Sequence, residues 1–243
     1  MGTKPRNTAA PTLAQTIAER IRAAIVDAEF EFGEGLSEDT LAAAFEVSRT
    51  PVREALNILQ MQDLVHIVPK SGTYVFTPKP EDIAELCDHR AGLEVQAMRL
   101  ALAGGRTAEL TRALRAAQER MAAAIRGKDL QAYGRADTDF HLAFFAACRN
   151  RYLERAYGQI LGRVAALRTH LAIKAEGEPA RSFKDHQAMI RLIGAGDTAR
   201  LSRLLIAHIL RTKANYLNAF ATMAPGGPSG RALRLRKRLF EQG

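Results

Sequence analysis

Several residue types are scarce in this chain of 243 residues, and each scarcity argues against a class of protein. Trp is absent and aromatic residues make up only 6%, while Ala and Leu recur throughout, which favours helices over sheets. Two cysteines, Cys87 and Cys148, are too few for a disulfide framework, and we interpret them as core thiols. No apolar run approaches the roughly 18 residues of a membrane span. Segment 1–11 is polar and lacks the apolar core of a signal peptide. We therefore expect a cytoplasmic protein with no membrane partner.

The net charge of +9 favours a nucleic-acid partner, but its distribution weakens that inference. Residues 1–78 contain seven Lys or Arg and ten Asp or Glu, so this part is slightly acidic. Residues 224–243 contain five basic residues and one acidic residue. Any DNA binding by the first part must therefore depend on where a few arginines lie.

Segment 12–77 predicts a small DNA-binding fold, and we expect segment 1–11 to be a flexible arm before it. Three helical patterns come first, and Ser37 and Ser48 are suitable N-caps for the second and third. Two β-prone stretches, 64–68 and 73–76, follow and are joined by turn-forming residues. Three helices followed by a β-hairpin predict a winged helix-turn-helix.

Arg49 and Arg53 are the candidate DNA-contacting residues within this segment. They are spaced i and i+4 at the start of the third helix, on the face opposite its apolar residues. At that position arginines can reach guanine edges or phosphates. The alternative is that both are solvated surface residues, paired with Glu46 or Glu54.

After a stiff linker at 78–80, segment 81–222 predicts an all-α bundle of six helices. The six helical segments are 81–103, 107–126, 129–148, 150–175, 181–194 and 197–221. The chain is thus predicted to be mainly α, with a winged helix-turn-helix joined to a six-helix bundle. Segment 223–243 is predicted to be a basic, flexible tail.

Ionisable residues interrupt the apolar stripes of several bundle helices. They are Arg90, Asp137, His141, His186 and His208. A buried ionisable group is costly unless it is paired or coordinated. Each histidine alone is typical of a hydrogen-bonded core residue, but together one carboxylate and three imidazoles suit a divalent transition metal. His89 and His170 flank these faces and are not assigned a role.

The first domain resembles the DNA-binding domain of GntR-family bacterial transcription regulators. The resemblance is carried by Phe32-x-x-Gly35-Leu36-Ser37-Glu38 and by the run Ser48-Arg49-Thr50-Pro51-Val52-Arg53-Glu54-Ala55-Leu56. It implies operator DNA contacts from six residues: Arg49, Thr50, Arg53, and in the wing Lys70, Ser71 and Gly72. One departure is Asp39, which occupies a position where many members have a basic, DNA-contacting residue.

The second domain resembles the FCD domain of the FadR-like branch of that family, and its six helices suggest the VanR-like subgroup. The motif Asp137-x-x-Phe140-His141, with His186 and His208 further on, matches that domain's metal-ligand pattern. The resemblance implies that Asp137, His141, His186 and His208 hold a divalent transition metal. Zinc is the first candidate, with nickel or manganese as alternatives. Arg90 is expected to hold a small organic acid, unless it forms only a structural pair with Glu94.

These observations predict a ligand-responsive transcription regulator that acts as a repressor, rather than an enzyme. A homodimer is expected on a pseudo-palindromic, double-stranded operator, because one recognition helix reads only a short half-site. Two alternatives stay open at this point. One is a metal-dependent hydrolase, and the other is a DNA-binding protein whose metal is purely structural.

Overall fold

The computed structural model describes residues 10–171 and 177–222, and within these ranges the chain forms nine helices and three short strands. The winged domain consists of α1 (Leu13–Val26), β1 (Gly35–Leu36), α2 (Glu38–Phe45), α3 (Arg49–Gln60), β2 (Val65–Val68) and β3 (Gly72–Val75). The helical domain consists of α4 (Pro80–Ala103), α5 (Thr107–Gly127), α6 (Leu130–Cys148), α7 (Arg151–His170), α8 (Glu178–Gly194) and α9 (Thr198–Ala221). The predicted fold class is confirmed. The basic tail and nearly all of the N-terminal arm lie outside the described residues.

The sheet of the winged domain has three strands, although the sequence predicted only a hairpin. β2 and β3 form the hairpin, and β1 pairs with the other edge of β3, so the order is β1-β3-β2 with antiparallel neighbours. Gly35 lies opposite Tyr74, and Leu36 lies opposite Thr73. Two residues are too short for an alternating pattern, and glycine is depleted in strands. The prediction therefore missed β1.

The α2–α3 turn sets the position of the recognition helix α3. Glu46 ends α2 with a φ of 55°, a left-handed conformation that turns the chain within two residues. The Ser37 hydroxyl accepts a hydrogen bond from the Thr40 amide and caps α2, as predicted. Ser48 occupies the N-cap position of α3, but its side chain makes no capping hydrogen bond there. Pro51 lies in the first turn of α3, where a missing N–H costs little.

In the helical domain, α4 packs against α6, α7 and α9, while α5 packs against α6 and α8. The fifth predicted segment begins earlier than expected, because α8 starts at Glu178 and includes Pro179 in its first turn. Proline is tolerated in the first turn of a helix, so Glu178 and Pro179 begin α8 and do not lie before it. Among the described helices, none is both long and apolar enough to cross a membrane.

The two domains contact each other through α1 and α7 and through the segments next to them. Gln131 at the start of α6 donates a hydrogen bond to the Asp27 carbonyl at 2.7 Å, and Arg135 forms an ion pair with the Asp27 carboxylate at 3.0 Å. A Cβ on Gly162 of α7 would lie 2.8 Å from the Leu64 side chain. A side chain at position 162 would therefore require the end of the Leu64 side chain to shift.

Candidate functional site

Three buried imidazoles converge inside the helical domain. His141 comes from α6, His186 from α8 and His208 from α9, and each is at most 2% exposed. One ligand nitrogen from each ring lies within 4.8 Å of the others. Three helices that are distant in the sequence thus direct the same donor type to one point.

Asp137 lies one helical turn before His141 and adjoins this cluster. Its Oδ2 is 3.8 Å from His141 Nε2, and its Oδ1 is 3.7 Å from His186 Nε2. Burial alone would raise the pKa of Asp137, but the guanidinium of Arg168 and the three imidazoles hold it well below its usual value. The carboxylate is therefore ionised and available as a ligand.

Two further carboxylates orient the imidazole rings. Glu94 Oε2 lies 2.7 Å from His141 Nδ1, and Asp185 Oδ2 lies 3.2 Å from His208 Nδ1. A carboxylate accepts hydrogen bonds, so His141 Nδ1 donates to Glu94, and its neutral ring then carries the lone pair on Nε2. His208 Nδ1 lies near both the Asp185 carboxylate and Arg211 Nη2, which is 3.3 Å away. A metal-binding histidine usually donates its other N–H to a carboxylate or carbonyl in this way.

Two of the three imidazoles, His141 and His186, have low pKa values and are therefore in the neutral form that metal ligation requires. Burial lowers the pKa of His141 to about 4, against the opposing charge of Glu94. Burial also lowers the pKa of His186 well below its ordinary value. Within the described part of the chain, no hydrogen-bond partner lies near His141 Nε2 or either nitrogen of His186. A divalent metal would satisfy His141 Nε2 and one nitrogen of His186, so the residues present fit such a group.

Arg90 is paired, yet part of its guanidinium is not used. Its Nε donates to Glu94 Oε1 at 2.6 Å, and the Tyr157 hydroxyl donates to the same oxygen at 3.1 Å. The Arg90–Glu94 pair, which the sequence analysis gave as the alternative role of Arg90, is therefore present. Arg90 Nη1 and Nη2 are buried without a hydrogen-bond partner among the described residues. The side chain can hold Glu94 and still offer donors to a ligand.

Arg168 is a second buried guanidinium, and no role was predicted for it from the sequence. Its Nε lies 2.5 Å from Asp137 Oδ2, and its Nη1 donates to the Thr138 hydroxyl. Its Nη2 is buried without a partner in the described residues. A signal was present, because Arg168 falls on the apolar stripe of α7 at helical spacing from Tyr157 and Val164.

A pocket connects these groups to solvent. It is lined by Arg90, Tyr133, Asp137, Arg168, Glu178, Pro179, Ser182, His208 and Thr212. The space between these side chains is about 340 Å³, including the open mouth. Arg211 lies at the rim and contacts Asp185 at 2.6 Å and Glu178 at 3.4 Å. The pocket combines buried positive groups with one of the imidazoles.

His170 lies at the boundary between the domains and not in the pocket. Its Nε2 donates to the Ile25 carbonyl at 2.9 Å, and its ring stacks on Phe32 with centroids 4.1 Å apart. Both partners belong to the winged domain. His89 does not belong to the imidazole cluster either.

The second functional region is the exposed face of α3. The side chains of Arg49 and Arg53 are more than half exposed, but each forms an ion pair with α2. Arg53 Nη2 lies 2.8 Å from Glu38 Oε2, and Arg49 Nε lies 3.1 Å from Asp39 Oδ1. The sequence suggested Glu46 or Glu54 as alternative partners, but the partners are these two carboxylates.

The tip of the wing is the other part of this face. Lys70, Ser71 and Gly72 are all exposed at the β2–β3 turn. Lys70 has a φ of 63° and Gly72 a φ of 143°, and the Ser71 and Tyr74 hydroxyls are hydrogen-bonded at 2.9 Å. The turn thus holds its small and basic residues at the surface.

Two family models match the chain. The model of bacterial regulatory proteins of the gntR family matches residues 13–75, and the FCD domain model matches residues 85–211. The chain belongs to the GntR family of transcription regulators. It is therefore a DNA-binding regulator and not an enzyme, and its second domain is an FCD domain of the FadR-like branch. The VanR-like assignment stays a prediction.

Two related proteins and one solved structure support the same assignment. The chain is 39% identical over 123 residues to an HTH-type transcriptional regulator of Agrobacterium vitis, covering 50% of this chain and 72% of that protein. It is 28% identical to the gluconate operon transcriptional repressor of Bacillus subtilis, covering 78% and 79% of the two chains. The crystal structure of a GntR regulator from Rhodococcus sp. RHA1 has a TM-score of 0.72 and 24% identity. It covers 85% of this chain and 98% of that one, and shows the shared fold.

Proposed function

We propose that this GntR-family regulator binds a divalent transition metal and a small organic carboxylate in its FCD domain. The observation that supports it most strongly is the group of three buried imidazoles within 4.8 Å of one another. Burial lowers the pKa of His141 to about 4 and the pKa of His186 well below its ordinary value, so these two rings are neutral at physiological pH, as metal binding requires.

The proposed metal ligands are Asp137, His141, His186 and His208. Zinc is the first candidate because nitrogen donors with one carboxylate suit it, and nickel or manganese are alternatives. When bound, the metal supplies positive charge and coordination positions for an anionic ligand. Glu94 and Asp185 orient the His141 and His208 rings, and Arg168 keeps the Asp137 carboxylate ionised.

Arg90 is the proposed carboxylate-binding residue of the pocket. Its Nε is held by Glu94, so the guanidinium is fixed before a ligand arrives. Its two terminal nitrogens have no partner among the described residues and lie on the pocket wall. A planar guanidinium fixed in this way matches the two oxygens of a carboxylate.

In the winged domain, we propose that Arg49, Thr50 and Arg53 contact the operator. Lys70, Ser71 and Gly72 are the proposed contacts from the wing. Both arginines are exposed at the N-terminal half of α3, which is the part of a recognition helix that contacts base edges in this fold. To reach DNA they must exchange their ion pairs with α2 for contacts to bases or phosphates. A homodimer would place two such faces on a pseudo-palindromic site.

The helix α7 is the proposed route between the pocket and the DNA-binding face. Arg168 contacts Asp137 inside the pocket, and His170 contacts Ile25 and Phe32 of the winged domain. A ligand can shift the regulator only if it binds the DNA-competent and DNA-incompetent arrangements with different affinity. A ligand that displaces Arg168 would move the same helical turn that holds α1. Repression is proposed because a relative with 28% identity is a transcriptional repressor.

The test uses the full chain loaded with zinc. A binding sequence is first selected from a random DNA pool, and its affinity is then measured by fluorescence anisotropy across a panel of small carboxylates. We expect a pseudo-palindromic sequence and at least one carboxylate that changes its affinity. If calorimetry shows a carboxylate bound while operator affinity stays constant, the ligand-responsive function is wrong. Unchanged ligand response after metal removal would instead indicate a purely structural metal.

A further inference from the structure

Two arginines from different helices lie in the wall of one pocket. Arg90 projects from α4 and Arg168 from α7, and they are 1% and 3% exposed. Each is fixed by its own carboxylate, Glu94 for Arg90 and Asp137 for Arg168. The resemblance to the FCD domain suggested a role for Arg90 alone. That resemblance therefore assigns no role to the second guanidinium, that of Arg168.

Both guanidiniums have buried N–H groups without an acceptor. Within residues 10–171 and 177–222, Nη1 and Nη2 of Arg90 and Nη2 of Arg168 have no hydrogen-bond partner. The hydroxyl of Tyr216 on α9 is also buried without one. Buried donors are nearly always satisfied, so these donors indicate acceptors supplied from outside the chain.

The charges around the pocket favour an anion there. The two guanidiniums balance the carboxylates of Glu94 and Asp137. Arg211 at the rim pairs with both Glu178 and Asp185, so this part of the pocket has one more carboxylate than guanidinium, and Glu178 itself is only 4% exposed. A divalent metal on neutral imidazoles adds two positive charges, so the loaded site stays positive. The metal-loaded site therefore favours a negatively charged ligand, and the guanidiniums that would hold it lie on α4 and α7.

We propose that the ligand of this pocket is a small dicarboxylate, with one carboxylate held by Arg90 and the other by Arg168. The inference rests on the proposed function and names the class of its ligand. One carboxylate has two oxygens and directs them to one fork of donors. It satisfies one guanidinium and leaves the other buried and unmatched. A second carboxylate satisfies the second guanidinium without moving either arginine from its structural partner.

The direct test compares diacids with their own monoamides on the zinc-loaded full chain. Malonate, succinate and glutarate are titrated by calorimetry beside malonamate, succinamate and glutaramate, which have the same shape and one charge less. We expect at least one diacid to bind at least about tenfold more tightly than its monoamide, since an unmatched buried donor costs roughly 1–3 kcal/mol. The three chain lengths cover the unknown separation of the two carboxylates.

Two variants assign the preference to Arg168. Arg168→Gln removes the charge, while Arg168→Lys keeps a charge near Asp137 but loses the planar fork. In each variant that retains zinc, we expect the diacid and its monoamide to bind within about threefold of each other. Arg120→Gln, which breaks an exposed ion pair with Asp139, is the matched control and should keep the full preference.

The outcomes separate this inference from the proposed function. If monoamides bind as tightly as diacids at every length, the ligand is a monocarboxylate, and the dicarboxylate inference is overturned while the proposed function stands. A diacid preference that survives both Arg168 variants also overturns it. If no carboxylate binds the zinc-loaded chain at all, the proposed function fails and this inference with it.

Discussion

Arg168 and His170 lie two residues apart on α7, yet they contact different domains. Arg168 Nε lies 2.5 Å from Asp137 Oδ2 in the pocket, and His170 Nε2 lies 2.9 Å from the Ile25 carbonyl of the winged domain. Adjacent side chains on one helical turn cannot move independently of their shared backbone. This turn therefore connects the proposed ligand site to the DNA-binding domain, as α6 also does, where Arg135 pairs with Asp27 two residues before Asp137.

The first prediction concerns His170. His170→Ala removes the hydrogen bond to Ile25 and the stack on Phe32, and it removes a buried side chain from the boundary between the domains, while the Ile25 carbonyl keeps its hydrogen bond from the Ala28 amide. We expect a loss of about 1–3 kcal/mol in the free energy of unfolding, measured by chemical denaturation. We also expect the variant to bind zinc normally while the carboxylate effect on operator affinity is reduced. Arg149→Ala, which breaks an exposed pair with Glu109, should change stability by less than about 0.5 kcal/mol.

The second prediction concerns Asp39, whose side chain is 72% exposed and pairs with Arg49. Asp39→Asn removes a negative charge from the face that meets the phosphates and frees Arg49 to contact DNA. We expect tighter operator binding and a stronger dependence of log affinity on log salt, measured by anisotropy at several salt concentrations. Glu19→Gln, on α1, removes the same charge from another exposed site and is the control. Weaker binding by Asp39→Asn would show that Asp39 itself positions Arg49 or contacts a base.

The third prediction concerns the recognition arginines. Arg53→Ala should cost about 1–3 kcal/mol of specific binding if its guanidinium reads a base edge, and Arg49→Ala should cost a similar amount. The comparison of selected and scrambled DNA separates base reading from phosphate contact, because loss of a phosphate contact weakens both equally. Unchanged operator affinity in both variants would refute the proposed role of α3.

The fourth prediction concerns the orientation of His208 by Asp185. Asp185→Asn should lower zinc affinity by about 10-fold to 100-fold, since a carboxylate that holds a metal-binding imidazole raises its basicity. Asp185 is a better choice than Glu94, because Glu94→Gln would leave Arg90 buried without its counterion. Competition with a zinc-binding dye measures the effect. The exposed Asp139→Asn on α6 should keep wild-type zinc affinity.

The burial of the histidines could be predicted from the sequence because their helices are regular. His141, His186 and His208 each interrupt an apolar stripe, and such a stripe indicates which face of a helix is buried. The stripes do not show which helices are neighbours, so the ligand set itself came from the resemblance. Whether these residues bind a metal stays a prediction.

The partners of Arg168 and of the α3 arginines could not be predicted in the same way. Arg168 lies on the apolar stripe of α7, but the stripe does not show which residue of another helix it meets. Glu38 and Asp39 are ten or more residues from Arg49 and Arg53, so their pairing depends on how α2 crosses α3. Contacts of this kind depend on the packing of helices, which helical periodicity does not specify.

The central claim is that the FCD domain binds a metal through its imidazole cluster. Elemental analysis of the purified full chain after incubation with zinc and removal of excess metal tests it most directly. The account predicts about one zinc per chain in the wild type and almost none in His186→Ala with His208→Ala, because three nitrogen ligands would fall to one. Circular dichroism of the double variant confirms that it is folded. A wild-type chain without zinc, or a folded double variant that keeps it, would contradict the account.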